Sequence, residues 1–314
     1  DDYSPDENNI CVVSLNLPPF VPLLDRMVLS ASPDCPLCTA QSAHGWASTI
    51  DTANGNFSYQ TIDLQLPVLG GQLVFQRSYA SGSILTPTTG ADLYSSPLGP
   101  GWTHNYDMQL HFTGNQLPDS IELQTPGGNR LPFIITTTNN ITTYIPYAGV
   151  TASLTWDDNT DEYIVTGFNQ NIYRFNEIGQ LLEQEDPFGN IITFTYDGLS
   201  GLLDSASQTD RSLEYNYSNG YLISVEDSAG RTIYIDYDND LLTVVTDTLG
   251  VATTYTYSNT LLTSAIDPTN RTLFTTTYDS AGRARQQQDG LDNIRVSVDY
   301  TITDTHVITQ NGVV

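Results

Sequence analysis

Asp227-Ser228-Ala229-Gly230-Arg231, Thr232-Ile233-Tyr234-Ile235-Asp236-Tyr237, Asp238-Asn239-Asp240 and Leu241-Leu242-Thr243-Val244-Val245-Thr246 run without interruption and read as a turn, a strand, a second turn and a returning strand. The next turn, Asp247-Thr248-Leu249-Gly250, opens 20 residues after the first, and Asp267-Pro268-Thr269-Asn270-Arg271 opens 20 after that. Related turns stand at Asp186-Pro187-Phe188-Gly189-Asn190 and Asp289-Gly290-Leu291-Asp292-Asn293. Each begins with Asp, whose carboxylate accepts a local backbone N–H. Its fourth residue is Gly or Asn, with Asp292 the exception, and these tolerate a left-handed backbone. The segments between alternate Thr, Tyr, Ile and Val, residue types that fill a pleated surface. Each unit is therefore a two-stranded hairpin of about 20 residues.

Tyrosines keep the same beat through the second half of the chain. Tyr196, Tyr217, Tyr237, Tyr257, Tyr278 and Tyr300 follow one another at gaps of 21, 20, 20, 21 and 22 residues. A unit this short cannot bury a core alone, so the period implies stacked units that share one.

This grammar resembles the tyrosine-aspartate (YD, or Rhs) repeat family, in which G-x-L leads to D-x-x-G-R and then to Y-D. Gly179-Gln180-Leu181, Asp186-Pro187-Phe188-Gly189-Asn190 and Tyr196-Asp197 follow it almost position for position. Asp227, Gly230, Arg231 and Tyr237-Asp238 repeat it, and Tyr278-Asp279 keeps the signature pair. Asp247, Gly250, Asp267, Arg271 and Asp289 mark further turns, while Tyr217-Ser218 and Tyr257-Ser258 depart from the pair and Asp210-Arg211 has lost the turn Gly. The preceding segment resembles what usually stands before the repeats in bacterial Rhs-type proteins. It carries Thr52-Ala53-Asn54-Gly55-Asn56-Phe57, Phe75-Gln76-Arg77-Ser78-Tyr79 and Leu98-Gly99-Pro100-Gly101-Trp102-Thr103-His104-Asn105-Tyr106. The resemblance covers residues 46 to 314 and implies an all-β fold. A β-rich N-terminal domain (46–160) is expected before about six hairpins (161–314) that form a curved or spiralling open sheet. Residues 1–45 stand apart as a cysteine-containing segment, a candidate inter-subunit arm.

Composition narrows the function classes. The 314 residues hold 36 acids against 10 bases, a formal charge of −26, and every base is Arg. The absence of Lys excludes a Schiff-base lysine, a P-loop lysine and a Lys–Asn isopeptide bond. Such a charge repels nucleic acid and anionic bilayers. No apolar run reaches the roughly 18 residues a spanning helix needs. The chain opens on Asp1 without Met or a leader, which reads as a mature or excised fragment of an extracellular or cell-surface bacterial protein.

Three cysteines, Cys11, Cys35 and Cys38, lie in the first segment. Cys35-Pro36-Leu37-Cys38 is followed by Thr39 rather than His, so it is no haem attachment site. A disulfide from Cys11 to Cys35 or Cys38 suits a secreted chain. A zinc site with His44 is the minor alternative. His44, His104, His111 and His306 are scattered, and none sits in a nucleophile motif. Asp236, Asp238, Asp240 and Asp247 fall at calcium-loop spacing, but Leu241 stands where such a loop needs Gly. No cofactor is expected, with calcium and zinc kept as minor alternatives, and no catalytic residue is assigned.

Some Rhs-type proteins carry a self-cleaving site and a toxin after the repeats, and neither is visible before Val314. Twelve strands at about 4.8 Å spacing make a ribbon of roughly 58 Å, too short to close, with two unpaired edges. The first expectation is accordingly a non-enzymatic structural subunit that forms a homopolymeric filament or sheath through its edges or its arm. The alternatives are a fragment of a toxin-delivery or cargo-encapsulating shell, and an adhesin binding carbohydrate on an exposed aromatic face.

Overall fold

The computed structural model describes residues 49–51, 54–85, 96–112, 120–126, 130–139, 141–167, 169–300 and 305–309. These form β1 (Thr49–Ile50), β2 (Phe57–Val68), β3 (Gly71–Ala80), the short helix α1 (Gly82–Leu85), β4 (Trp102–His104), β5 (Gln109–Phe112), β6 (Ser120–Gln124), β7 (Arg130–Thr138) and β8 (Ile141–Pro146). There follow β9 (Ser153–Asp157), β10 (Glu162–Thr166), β11 (Ile172–Phe175), β12 (Leu181–Glu185), β13 (Ile191–Tyr196), β14 (Leu203–Gln208), β15 (Arg211–Ser218) and β16 (Tyr221–Asp227). The last are β17 (Thr232–Asp238), β18 (Leu241–Thr246), β19 (Ala252–Ser258), β20 (Leu261–Ile266), β21 (Thr272–Tyr278), β22 (Ala284–Asp289), β23 (Ile294–Tyr300) and β24 (Thr305–Thr309). The all-β expectation and the stacked hairpins hold.

The described residues divide into two compact units. Those within Thr61–Ser78 and Ser96–Val251 form the larger, and those within Asp1–Gln60, Tyr79–Ser95 and Ala252–Val314 form the smaller. The boundary expected at residue 160 falls inside the larger unit, between two strands that pair.

In the larger unit, β5 through β18 follow one another in a single antiparallel order, each strand beside its sequence neighbour. The repeats therefore do not start at an edge: β11 pairs with β10 over four residues, and β10 with β9 over five. That corrects the twelve-strand ribbon, because β5–β10 belong to the same ladder. A second layer lies on one face, made by the larger unit's parts of β2 and β3 together with β4. Period-two burial explains why. In β15, Leu213 and Tyr215 are buried while Glu214 and Asn216 face solvent, and in β17 Ile233 and Ile235 are buried while Tyr234 and Asp236 are not. The apolar face must be covered: Leu110, Phe133 and Phe175 of the ladder, and Phe75, Leu98 and Trp102 from the preceding segment, are all at 0–1% exposure. Each such side chain contributes about 1.5–3 kcal/mol as an upper figure.

The outward face is short and polar. Thr195 and Ser205 hydroxyls lie 2.8 Å apart across β13 and β14, and Thr193 and Ser207 3.0 Å apart. In the smaller unit, Thr256 and Ser264 make the same pair at 2.6 Å across β19 and β20. There the core gathers Phe57, Tyr79, Leu262, Phe274 and Ala284, with the Phe57 ring 5.4 Å from Phe274 and 6.0 Å from Tyr79.

A candidate docking rail along the tyrosine ladder

Every ladder tyrosine from Tyr196 to Tyr278 marks a β-bulge. In β15–β16 the register runs Asn216↔Ser224 and then Tyr217↔Leu222, so Ile223 is the extra residue. The same slip occurs at Tyr196↔Leu203, Tyr237↔Leu242, Tyr257↔Leu262 and Tyr278↔Ala284. Phe175↔Leu181 shows it too, so Phe175 is the first rung, without a hydroxyl. A bulge withdraws backbone groups from the ladder. The residue facing each rung is buried at 0–6% exposure, and its backbone groups must find partners elsewhere.

They find them in the next repeat and in the N-terminal segment. In the larger unit the Tyr237 hydroxyl donates to the Leu222 carbonyl at 2.8 Å, and the Leu222 amide donates to the Pro97 carbonyl at 2.9 Å. The Tyr196 phenol is hydrogen-bonded to the Leu181 backbone. In the smaller unit the Tyr278 hydroxyl donates to the Leu262 carbonyl at 2.7 Å, and the Leu262 amide donates to the Tyr79 phenol at 2.9 Å. Tyr300 repeats the pattern on the Ala284 carbonyl at 2.8 Å, while the Ala284 amide donates to the Gly55 carbonyl at 2.8 Å. Within each unit the repeats thus lay out a rail of backbone donors and acceptors at about 20-residue intervals, and that unit's own part of the preceding segment is seated on it.

The Asp turns fasten the same segment. Asp227 Oδ1 accepts the amides of Ala229 and Arg231 at 2.9 and 3.0 Å, and its Oδ2 accepts Arg231 Nε at 2.7 Å. The Arg231 guanidinium, held in this way, donates to the Gln65 carbonyl on β2 at 2.7 Å. Gly70, at φ +79°, sits where a Cβ would run into Asn190 and Asp186 of the first repeat turn. In the smaller unit, Asp279-Ser280-Ala281-Gly282-Arg283 folds as the Asp227 turn does, with Arg283 Nε 2.8 Å from Asp279 Oδ2. Its guanidinium lies 4.3 Å over the Tyr300 ring, and its side chain fills the space beside Gly55. This turn was legible, since its five residues are those of Asp227–Arg231. Reading Tyr278-Asp279 only as the signature pair hides it.

The titratable groups along the rail are shifted by burial and by their local partners. For Asp227, burial raises the carboxyl, but the Arg231 and Ala229 amides and the guanidinium outweigh it and hold the pKa below the ordinary value. Asp279 behaves alike. His104 is stacked on Tyr215 at 5.6 Å and beside Phe75 at 5.7 Å, and burial pushes its pKa down to about 3. It accepts the Tyr106 amide at 3.3 Å as a neutral imidazole. Arg77 is 1% exposed and bonded twice to Asp63, at 2.6 and 2.9 Å, with its guanidinium 5.0 Å from the Trp102 ring. The Tyr217 hydroxyl is buried and accepts or donates nothing among the described residues.

The remaining sequence-predicted residues fare as follows. Gly189, Gly230 and Gly250 take the left-handed turn position at φ 81°, 78° and 79°. Asp292 takes it too, at φ 60°, so the exception in sequence is none in backbone. Asp247, Asp267 and Asp289 each cap their own turn through Oδ1, and Arg271 closes on Asp267 at 2.8 Å. Asp236 pairs across from Val244, three residues short of Asp247 along β18, so the calcium-spaced carboxylates do not converge. Among the described residues no three His, Cys, Asp or Glu side chains are placed to hold a metal ion. Cys11, Cys35, Cys38 and His44 lie outside the described residues, so the disulfide and zinc alternatives do as well. No described helix is long and apolar enough to cross a membrane, which says nothing of strands.

One seam in the larger unit is open. β8 pairs with β7 over six residues, yet with β9 at the single position Tyr144↔Leu154. Sequence reasoning missed it, because Ile141–Pro146 is rich in β-branched and aromatic residues like any other strand.

A family profile, described as a domain of unknown function (DUF6531), matches residues 47–133. A search of curated proteins finds no match. Among solved structures, "TcdB2-TccC3 without hypervariable C-terminal region" overlaps at 14% identity and TM-score 0.29, covering 80% of this chain and 19% of that one. The N-terminal domain of effector protein SpvB from Salmonella typhimurium strain LT2 overlaps at 12% identity and TM-score 0.30, covering 79% and 98%. A porin-like protein from Bacteroides uniformis overlaps at 14% identity and TM-score 0.23, covering 64% and 91%. The chain spans under a fifth of the length of the TcdB2-TccC3 chain it overlaps. With the repeat grammar, the preceding signatures and the matched profile, the chain resembles Rhs/YD-repeat proteins.

Proposed function

We propose that this chain, which resembles Rhs/YD-repeat proteins, is a non-enzymatic structural component of an exported or surface assembly, and that its hairpins serve as a wall segment of an Rhs-type shell. The observation that carries the reading is the rail. Leu222, Leu262 and Ala284 turn backbone groups out of their hairpins, and Pro97, Tyr79 and Gly55 take them up. Such an arrangement adds one repeat at a time and holds an internal segment without needing a reactive group. The test is electron microscopy of the product of the complete gene. Hollow closed particles support the shell, and fibres support the filament. Monomers that never assemble at high concentration would remove both.

The homopolymeric filament or sheath is the second reading, and the open edge of β8 is what favours it. A charge of −26 opposes self-association at low salt, which places the shell first. The adhesin reading gains no support from the ladder. Tyr237, Tyr278 and Tyr300 are half-buried and their hydroxyls are bonded to backbone, so the ladder offers no exposed aromatic face. A glycan array without a binder would end it.

A further inference from the structure

We propose that the open edge of β8, at Ile141–Thr143, accepts an extended segment of a partner protein, apolar or β-branched in the middle and carrying Lys or Arg at one end. The strand pairs fully with β7 and then leaves β9 after Tyr144↔Leu154. Had the ladder continued, Thr143, Thr142 and Ile141 would face Thr155, Trp156 and Asp157; instead, among the described residues, those backbone groups have no ladder partner across the seam. An unpaired strand is a template for strand addition, and natural edges are blunted by charges, bulges or cover. β8 carries no charged residue, and its one Pro, Pro146, stands beyond Tyr144, at the end away from Ile141–Thr143. Ile141 and Ile145 project from it at 65% and 48% exposure. Beside the seam, Tyr144 and Trp156 pack against Tyr163 with ring centres 5.9 and 4.7 Å away.

Charge decides the occupant. The mouth of the seam is formed by the β9–β10 turn, where Asp158 and Asp161 are exposed and Asp157 is half-buried. Arg174, the cation whose charge reaches Asp157, is itself within 3.3 Å of both Glu183 and Glu185. A second copy would bring 36 acids, 10 arginines and no lysine to this acidic rim, whereas a Lys- or Arg-tipped strand meets complementary potential.

The inference rests on reading the chain as an assembly component. Microscopy tests that reading and peptide binding tests this one, so either can fail alone. The probe is a fluorescent peptide pool, Lys-Lys followed by six positions drawn from Val, Ile and Thr, titrated into the full chain beside a Glu-Glu pool. The Lys pool is expected to bind at least about tenfold tighter than the Glu pool, and to weaken about fivefold from about 50 to about 300 mM salt. Ile141→Lys with Ile145→Lys, both on exposed side chains, should abolish binding while leaving the thermal midpoint in place. Asp158→Asn with Asp161→Asn should remove the salt dependence. Binding of neither pool, or equal binding by all variants, overturns the proposal. Self-association of the chain alone that Ile141→Lys and Ile145→Lys abolish also overturns it, by giving the edge to a second copy.

Discussion

The hydroxyl of Tyr237 donates to the carbonyl of Leu222, 2.8 Å away, and Leu222 is the residue that faces Tyr217 across the preceding bulge. One rung therefore closes on the residue that the previous rung has displaced. The tyrosine is repeated because its ring is long enough to reach the bulge on the adjacent strand of the preceding hairpin and ends in a donor.

Removing that donor should cost stability where it is used and nothing where it is not. Tyr237→Phe leaves the buried Leu222 carbonyl without its phenol, and about 1–2 kcal/mol of destabilisation is expected. Tyr217→Phe deletes a buried hydroxyl without a described partner, so a neutral or slightly stabilising change is expected. Urea melts of both variants would check this, and equal losses would contradict it.

Gly99 and Gly189 share a left-handed backbone, at φ +83° and +81°, but not their surroundings. A Cβ at Gly99 would lie 2.5 Å from the Asp240 carbonyl oxygen, while at Gly189 nothing lies within 4 Å. Gly189→Ala should cost about 1 kcal/mol for the backbone alone. Gly99→Ala must also push the signature loop off the Asp238–Asp240 turn, and about 2–4 kcal/mol is expected. Thermal melts rank the two, and a reversed order would show that the loop yields freely.

Acid should loosen the molecule through His104 first. Its folded pKa, about 3, lies below the unfolded value of about 6.5. Between those values the unfolded chain binds the extra proton, so stability is full above about pH 6.5 and is lost as pH falls toward 3. His104→Phe keeps a ring between Phe75 and Tyr215 and removes the titration. Its denaturation midpoint should change less between pH 7 and pH 4 than the wild type's. Parallel slopes would mean that the imidazole gains a proton in the folded state without difficulty.

The turn carboxylates act lower. Asp289, held chiefly by the Asn293 side chain, sits at about 2, and Asp186, Asp227 and Asp279 also lie below the ordinary carboxylate value. Their contribution is complete above about pH 4 and is lost as pH falls through these depressed values. Asp227→Asn cannot titrate and gives up the ion pair with Arg231. It should lower the midpoint at pH 7 and narrow the gap to wild type near pH 2. A gap that stays constant would show that the Asp227–Arg231 pair does not matter to folding.

The hairpins, their 20-residue period, the Asp-capped turns and the all-β class were set by local chemistry and could be read directly. Alternation, turn residues and β-branched content act over a few positions, so a stretch such as Asp227–Thr246 declares its own fold. Distant partners were not readable. Nothing in Leu222 announces a bulge, and nothing in Pro97 or Tyr79 announces that it will meet Leu222 or Leu262. The Asp279 turn could be found by its repeated letters, yet its seat beside Gly55 could not. The open seam at β8 is the plainest case: Ile141–Pro146 has the pattern of a paired strand, and only tertiary structure decided that β9 leaves it at Leu154. Periodicity records which face of a strand is buried. Which backbone groups remain unpaired depends on where every neighbouring strand runs, and that is fixed only when the whole chain has packed.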